Sequence, residues 1–369
     1  MGKTAQAPAP SSPSGGGPRV PASYAELCAF PTNELARCDI ALMNLLCAEG
    51  LRGAENLNVS NALAVLDGFA QRVKFETDRH LYRYREKPTE FNGSEGYFRM
   101  MMLATVLQED VGIRYNPARA SAPSERELEA NDRFFADSKD VFIHGLVRLD
   151  GLGTCSSLPV FYVAIGRRLG YPLKLVRAKA HLFVRWDEGD QSFNFEATAV
   201  GGVVHSDDYY RTWPLPFTPE EEATESYLKS LTPVQELATF LTIRGQCCRA
   251  MTNWAYAVGA FAQAHYLEPA SVGNRLLFEW AEADAAAAGV LSKRVTLEHA
   301  LRSLVIPPGT MQASWIEELT ALIGKNAAGA PEREIEAGLQ RLQAQIQALA
   351  PHSAAPNALE PNDPNPLRR

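Results

Sequence analysis

The chain has 369 residues, of which 46% are hydrophobic and 21% are charged, proportions that are ordinary for a globular protein. Its formal net charge of −7 provides no basic surface, so we expect no nucleic-acid partner. No apolar run reaches the length of a membrane-spanning helix, so we expect no membrane partner either.

The N-terminal residues and the cysteines indicate the compartment. Residues 1–22 are rich in Pro, Ser and Gly and lack the apolar core of a signal peptide, so they are predicted to be a disordered leader. The six cysteines stand at positions 28, 38, 47, 155, 247 and 248. Their spacing fits no metal-ligand pattern, and the adjacent pair is poorly placed for a disulfide in helical geometry. We therefore expect a reducing, cytoplasmic setting and no cofactor.

Residues 23–87 are predicted to be helical. Apolar residues recur there at three- and four-residue steps, in 33–49 and again in 60–75. A capping signal at 92–95 predicts a third helix over 96–108. The polar stretch that follows, residues 117–132, is predicted to form an exposed loop or a short helix.

Cys155 precedes a long apolar segment, residues 156–169. This segment lacks strand-like alternation, carries Pro159 in its first turn and is followed by Gly170, all of which favour a helix. Cys155 is therefore predicted to lie at the N-terminal end of a helix, where the helix dipole favours a thiolate. The alternative is that Cys155 is a small buried hydrophobic residue.

Two alternating segments come next, joined by the acidic, glycine-containing residues 187–190, and they are predicted to form a β-hairpin. If those four residues are the whole loop, Trp186 pairs with Gln191 and His181 pairs with Glu196. Directly opposed residues have Cβ atoms roughly 4.5–5.5 Å apart, so this carboxylate would hold the imidazole. A purely structural His–Glu pair on a sheet is the alternative.

The alternation assigns each side chain of the hairpin to a face. One face is predicted to enter the core and carries Leu182, Val184, Trp186, Phe193 and Phe195. The other face is expected to lie toward the helix that follows Cys155 and carries His181, Phe183, Arg185, Ser192, Asn194 and Glu196. A slip of one residue would mix the two sets, so burial selects between them.

Several short motifs follow one another in a recognisable order. They are Gly153-Thr-Cys155, an aliphatic helix ending in Arg167-Arg-Leu-Gly-Tyr-Pro172, the strand 173–176, His181, and Glu196-Ala-Thr198. With these motifs, residues 91–213 resemble the transglutaminase-like superfamily, particularly a bacterial branch of it. The resemblance implies a papain-like core in which Cys155 is the nucleophile, His181 the base and Glu196 the orienting acid.

Two positions depart from the family pattern. The acid is usually Asp followed by Pro-Thr, whereas Glu196 is followed by Ala-Thr. An aromatic residue often follows the histidine, whereas Leu182 stands there in this chain.

Residues 219–350 are predicted to be helical. Within them, the spacing of one tetratricopeptide unit is matched by Leu241, Gly245, Ala257, Phe261, Ala264 and Pro269. In such a unit a small residue lets two helices approach and an aromatic ring fills the gap. One unit cannot bury its own faces, so we expect this region to pack on the rest of the chain or on neighbouring helices.

The last predicted helix carries a narrow apolar seam, formed by Ile335, Leu339, Leu342, Ile346 and Leu349. The seam suits docking onto the same chain or onto a partner helix. Residues 351–369 are predicted to be a disordered tail.

The sequence as a whole predicts an α+β protein with a transglutaminase-like domain over 23–218 and a helical region over 219–350. The expected chemistry is cysteine-dependent acyl transfer or hydrolysis at an amide of a protein or peptide substrate. The rival hypothesis is a non-catalytic scaffold that binds a protein partner through the helical region.

Overall fold

The computed structural model describes residues 20–119, 134–147 and 151–290, with 314–315, 317–318, 321–322, 325 and 332–349 further along the chain. These residues form helices and two small β-sheets, which confirms the α+β class in its coarse form. The leader as far as residue 19, the polar stretch 120–132 and the tail 351–369 lie outside the described residues. The chain divides into two compact units, Met1–Asp284 and Ala285–Arg369.

The first unit begins with helices. Their bounds are α1 Tyr24–Cys28, α2 Ile40–Ala48, α3 Val59–Glu86 and α4 Glu95–Thr105. The helix predicted over 33–49 is interrupted, because Asp39 has an extended backbone and its carboxylate caps α2 through the amide of Ala41 at 2.8 Å. The residues before this break form a 3-10 turn, Thr32–Arg37.

Two small sheets follow in sequence. In the first, β1 (Arg114–Tyr115) pairs in parallel with β2 (Leu152–Gly153), and the short helix α5 (Ser138–Val141) lies between them in sequence. Helix α6 (Leu158–Arg168) then leads into an antiparallel sheet of order β3-β4-β5. Its strands are β3 Leu173–Ala178, β4 His181–Trp186 and β5 Phe193–Phe195.

The register of the β4–β5 hairpin differs by two residues from the predicted one. Trp186 pairs with Phe193 and not with Gln191, so six residues connect the strands where four were expected. A shift of two leaves every side chain on its predicted face, because side chains alternate with a period of two. His181 and Glu196 therefore share a face as expected, but they are diagonal neighbours and are not directly opposed.

The two faces of this sheet are covered differently from the prediction. Tyr162 of α6 packs on Phe195 with ring centroids 5.7 Å apart, so α6 covers the apolar face. The face of His181 and Glu196 is covered by later chain, where the ring of Tyr210 stacks on Phe183 at 3.8 Å. The body of α6 therefore lies on the opposite face from the one expected, although His181 at the start of β4 still contacts Cys155. Phe183 is fully buried, so both faces need apolar cover, and the more apolar one receives the helix.

No boundary between compact units falls at residue 218, because the first unit extends to Asp284. More helices follow in the chain. They are α7 Asp207–Tyr210, α8 Pro219–Thr224, α9 Pro233–Ala250, α10 Trp254–Leu267 and α11 Val272–Ala287. The predicted close approach of α9 and α10 is confirmed, since a Cβ on Gly245 would lie 2.6 Å from the ring of Phe261.

Buried polar contacts attach these helices to the first half of the chain, as expected for a region that cannot bury its own faces. Arg244 of α9 donates to the carbonyls of Cys47 and Glu49 at 2.8 and 2.7 Å. Its guanidinium also lies 3.8 Å from the ring centroid of Tyr24. These long-range contacts explain why the compact unit extends to Asp284.

In the second unit, helix α12 (Glu332–Leu349) contains the predicted seam. Ile335 and Leu342 are buried, and a Cβ on Gly338 would lie 2.2 Å from a methyl carbon of Leu322. The helix therefore packs on residues of its own chain within this unit. Among the described residues, no helix combines the length and hydropathy needed to cross a bilayer.

Candidate active site

Cys155 lies in a tight turn immediately before α6. The turn is held by the carbonyl of Asp140, which accepts from the hydroxyls of Thr154 at 2.8 Å and Ser157 at 2.9 Å. The helix starts at Leu158, two residues later than predicted. Cys155 is therefore at the helix entrance, and its side chain is partly exposed.

Gly151 is required where the chain enters this turn. Its φ of +55° is in the left-handed region, and a Cβ there would lie 3.0 Å from the carbonyl oxygen of Gly112. A larger residue would be strained by this backbone conformation and would crowd the carbonyl of Gly112, so it would reduce stability. Gly151 therefore lets the chain turn tightly before the cysteine.

His181 and Glu196 form a buried pair. The Nε2 atom of His181 lies 2.8 Å from Oε2 of Glu196, and both side chains are almost fully buried. Diagonal neighbours on a sheet are roughly 7–8 Å apart, farther than directly opposed residues. The longer side chain of glutamate covers this distance.

The carboxylate of Glu196 is fixed by three further donors. Its Oε1 accepts from the backbone amide of Thr198 at 3.0 Å and from the Thr198 hydroxyl at 2.5 Å. Its Oε2 also accepts from the hydroxyl of Tyr210 at 3.0 Å. Four hydrogen-bond partners hold the carboxylate in one orientation toward the imidazole.

The imidazole of His181 has aromatic neighbours that sequence reasoning missed. The ring of Trp213 meets it edge to face at 4.7 Å, and the ring of Tyr210 stacks against it at 6.1 Å. Trp213 thus supplies an aromatic contact to the histidine although Leu182 follows His181 in sequence. The only sequence signal was the aromatic density of residues 209–213.

The charge state of the pair follows from its surroundings. Burial alone would lower the pKa of His181, but hydrogen bonds with Cys155 and Glu196, together with their charges, raise it from 6.5 to about 9. Burial would raise the pKa of Glu196, but its bonds with His181 and Thr198 lower it. At neutral pH the pair is therefore an imidazolium beside a carboxylate, and the thiol of Cys155 lies in hydrogen-bonding contact with that imidazolium.

The other cysteines are in a different environment. Burial raises the pKa of Cys28 and of Cys248 to about 11, and it raises the pKa of Cys47 and Cys247 well above the ordinary value. These four thiols remain protonated at neutral pH, and a protonated thiol is a far weaker nucleophile than a thiolate.

Two further histidines lie away from the thiol. His144 is buried, with its Nε2 3.3 Å from the hydroxyl of Ser138, in keeping with the structural role that its context suggests. His205 stacks on Tyr209 at 3.8 Å and lines a separate cavity with Arg185 and Asp207. It therefore does not line the cavity at Cys155.

A cavity of about 280 Å³ opens beside the thiol, and both Cys155 and His181 line it. In the part of the chain that is described, no group of three or more His, Cys, Asp and Glu side chains is arranged to hold a metal ion. The reactive groups of the site are the thiol of Cys155, the imidazole of His181 and the carboxylate of Glu196.

These three groups, of which Cys155 and His181 line the cavity, form the arrangement that thiol-based nucleophilic catalysis uses. Comparisons of the chain with protein-family models, with curated proteins and with solved structures find no match.

Proposed function

We propose that this chain is an enzyme that performs cysteine-dependent acyl transfer or hydrolysis at an amide. The observation that carries the proposal is the continuous contact from Cys155 through His181 to Glu196, with 2.8 Å between the imidazole and the carboxylate. We assign Cys155 as nucleophile, His181 as acid and base, and Glu196 as the group that orients and charges His181.

We also infer a papain-like core of the transglutaminase-like superfamily. The order of elements supports this inference: a cysteine at a helix entrance, a histidine at the start of a strand, and an acid just after the next strand. The diagonal placement of His181 and Glu196 gives a physical reason for the residue in which the chain departs from the family pattern.

In the first step, the Cys155 thiolate attacks the carbonyl carbon of the amide and forms a C–S bond. An imidazolium at His181 stabilises that thiolate before the attack. We assign the backbone amides around Cys155 to the oxyanion that develops on the carbonyl oxygen. As the C–N bond breaks, His181 gives its proton to the departing amine, which leaves a thioester and a neutral imidazole.

In the second step, His181 takes a proton from water or from an amine, which attacks the thioester and releases Cys155. Water as the acceptor gives a peptidase or amidase, and an amine gives a protein-crosslinking enzyme. Both outcomes use the same three side chains, and the substrate is a protein or peptide in either case.

The first test is alkylation of the full chain by iodoacetamide at pH 6, followed by peptide mass spectrometry. Cys38 is the matched control, because it is also partly exposed but its pKa is raised by burial. We expect Cys155 to react at least about tenfold faster than Cys38, and we expect His181→Ala to remove that difference. Equal rates at the two cysteines would favour the non-catalytic scaffold.

A further inference from the structure

The cavity beside the thiol has walls from three separate parts of the chain. One wall is the turn between β3 and β4, with Ala178 and Ala180, and a second wall contains Phe134 and Phe135. The third wall comes from α9 and α11, far along the sequence, and consists of Thr239, Thr242, Ile243, Gly273, Asn274 and Leu277. The helical region is therefore part of the active-site cavity.

Besides His181, two charged side chains line this cavity, and both have partners inside the protein. Arg177 donates to the two carboxylate oxygens of Glu268 at 2.8 and 2.7 Å, and its buried Nε has no hydrogen-bond partner. Glu225 accepts from the hydroxyl of Ser271 at 2.6 Å and from the amide of Gly273 at 3.0 Å. The charge of Arg177 is balanced by Glu268, whereas the Glu225 carboxylate is held by two neutral donors, so these two side chains do not favour an anionic ligand.

The uncharged polar groups of the helical wall are also occupied. The hydroxyls of Thr239 and Thr242 bond to backbone carbonyls one turn earlier in α9, at 2.8 and 2.9 Å. The amide oxygen of Asn274 accepts from Thr242 at 3.1 Å. What α9 and α11 present to a ligand is therefore mainly apolar surface, including the side chains of Ile243 and Leu277.

The helical wall is held rigidly relative to the thiol. Glu236 at the start of α9 is fully buried, and its Oε1 lies 2.6 Å from Nη2 of Arg167 in α6. This ion pair connects α6, which follows the nucleophile, to α9, which lines the cavity. Arg177 of β3 reaches Glu268 just after α10. A wall fixed by buried ion pairs can discriminate between ligands by size.

We propose that this cavity is the acyl-side specificity pocket and that it selects an acyl donor with an uncharged, apolar side chain as large as an aromatic ring. The inference rests on the proposed function, because it requires acylation at Cys155. An apolar cavity of roughly 150 Å³ is enough to bind benzene, and this one has about 280 Å³. Ile243 and Leu277 are the specificity-determining residues.

The test uses N-acetyl amino acid p-nitrophenyl esters with the full chain. The Cys155 thiolate forms a C–S bond to the acyl carbon, the C–O bond breaks and p-nitrophenolate leaves. Water then cleaves the thioester, releasing the N-acetyl amino acid and the thiol. The side chains compared are those of glycine, leucine, phenylalanine and glutamate, and kcat/KM is measured for each.

We expect kcat/KM for the phenylalanine ester to exceed that for the glycine ester by at least about tenfold, and the glutamate ester to be the poorest substrate. Ile243→Trp and Leu277→Trp fill the pocket, so each should lower kcat/KM for the phenylalanine ester and bring the phenylalanine-to-glycine ratio close to one. Val272→Trp is the matched control, because Val272 is exposed on α11 and does not line the cavity.

The outcomes separate the two proposals. If no ester is hydrolysed faster by the wild-type chain than by Cys155→Ala, the proposed function itself fails. If all esters react equally, or if glutamate is preferred, acylation stands and the pocket assignment fails. Thermal melting identifies a variant that does not fold, and the glycine ester rate shows that a folded variant retains its catalytic groups. The two tryptophan variants are independent of each other, so either one that folds decides the question.

Discussion

Replacing Glu196 by Asp tests the geometry of the site most directly. Oε2 of Glu196 lies 2.8 Å from Nε2 of His181, and the two residues are diagonal neighbours on the sheet. Removing one methylene withdraws the carboxylate by about 1.2–1.5 Å, because a C–C bond is about 1.5 Å long. The separation becomes about 4 Å, which is beyond a hydrogen bond. Glu196→Asp should therefore damage this site although it keeps the charge of the acid.

The size of the effect follows from the lost bond. A hydrogen bond to a charged group contributes about 1.5–3 kcal/mol, which corresponds to about one to two pKa units at 1.36 kcal/mol per unit. The pKa of His181 should fall from about 9 to between about 7 and 8. The rate of amide cleavage should fall about 10- to 100-fold, since each 1.36 kcal/mol is a factor of ten.

The assay is histidine NMR titration of the wild-type and variant chains, together with kcat/KM against pH on an N-acetyl-phenylalanine p-nitroanilide. In the wild type the imidazolium protonates the leaving amine, so the alkaline limb should lie near pH 9, and in Glu196→Asp it should move downward. Glu196→Gln keeps the length of the side chain but removes its charge, so it should also lower the pKa of His181. The control is Glu188→Asp, at an exposed glutamate of the same hairpin whose carboxylate contacts only the Trp186 indole.

The same pKa shift has a consequence for stability. A pKa raised on folding contributes stability that is complete below the unfolded value near 6.5 and is lost as the pH rises through about 9. The free energy of unfolding should therefore fall across this window, and it should fall less in Glu196→Gln.

A His181 pKa that remains near 9 in Glu196→Asp, with unchanged kcat/KM, would refute the argument from the length of the glutamate side chain.

Three other substitutions separate chemistry from packing. Cys155→Ala should abolish turnover of the p-nitroanilide and leave the melting temperature within a few degrees of the wild type, because the thiol is partly exposed and contributes little packing; full activity would end its assignment as nucleophile. Val184→Asp places an unpaired charge in a fully buried position and should cost several kcal/mol, about the size of a typical domain stability, whereas Ser192→Asp at an exposed position of the same hairpin should fold normally by circular dichroism. In Gly245→Ala the new Cβ lies 2.6 Å from the ring of Phe261, so the protein should lose about 1–3 kcal/mol of stability in chemical denaturation. Gly259→Ala, in the neighbouring helix, has open space around it and should gain about 0.5–1 kcal/mol. Equal effects of the two substitutions would contradict the close approach of α9 and α10.

Much of the local structure near the site could be predicted from the sequence. The proline at 159 and the glycine at 170 define a helix from local backbone rules, and α6 has Pro159 in its first turn and ends before Gly170. Alternation with a period of two placed His181 and Glu196 on one face, and that assignment holds although the register is shifted. It holds because the shift is an even number of residues, so both registers bury the same side chains.

The sequence could not choose between those registers for the same reason. Burial distinguishes odd shifts from even ones, but it does not distinguish a loop of four residues from a loop of six. Stacking of Trp186 on Phe193, at 6.0 Å, accompanies the longer loop in the folded protein. This register makes Glu196 the diagonal neighbour of His181. The longer distance between diagonal neighbours is the reason that glutamate is needed there.

The sequence by itself therefore determined the order of the elements, the position of Cys155 at a helix entrance and the face on which its two partners lie. These depend on residues within a few positions of one another, where backbone rules and periodicity act. Only the tertiary structure decided which element covers each face of the sheet, that Trp213 contacts His181, and that Ile243 and Leu277 line the cavity at the thiol. Those contacts join residues separated by about 30 to 120 positions, and packing at such distances leaves no periodic signal in the chain.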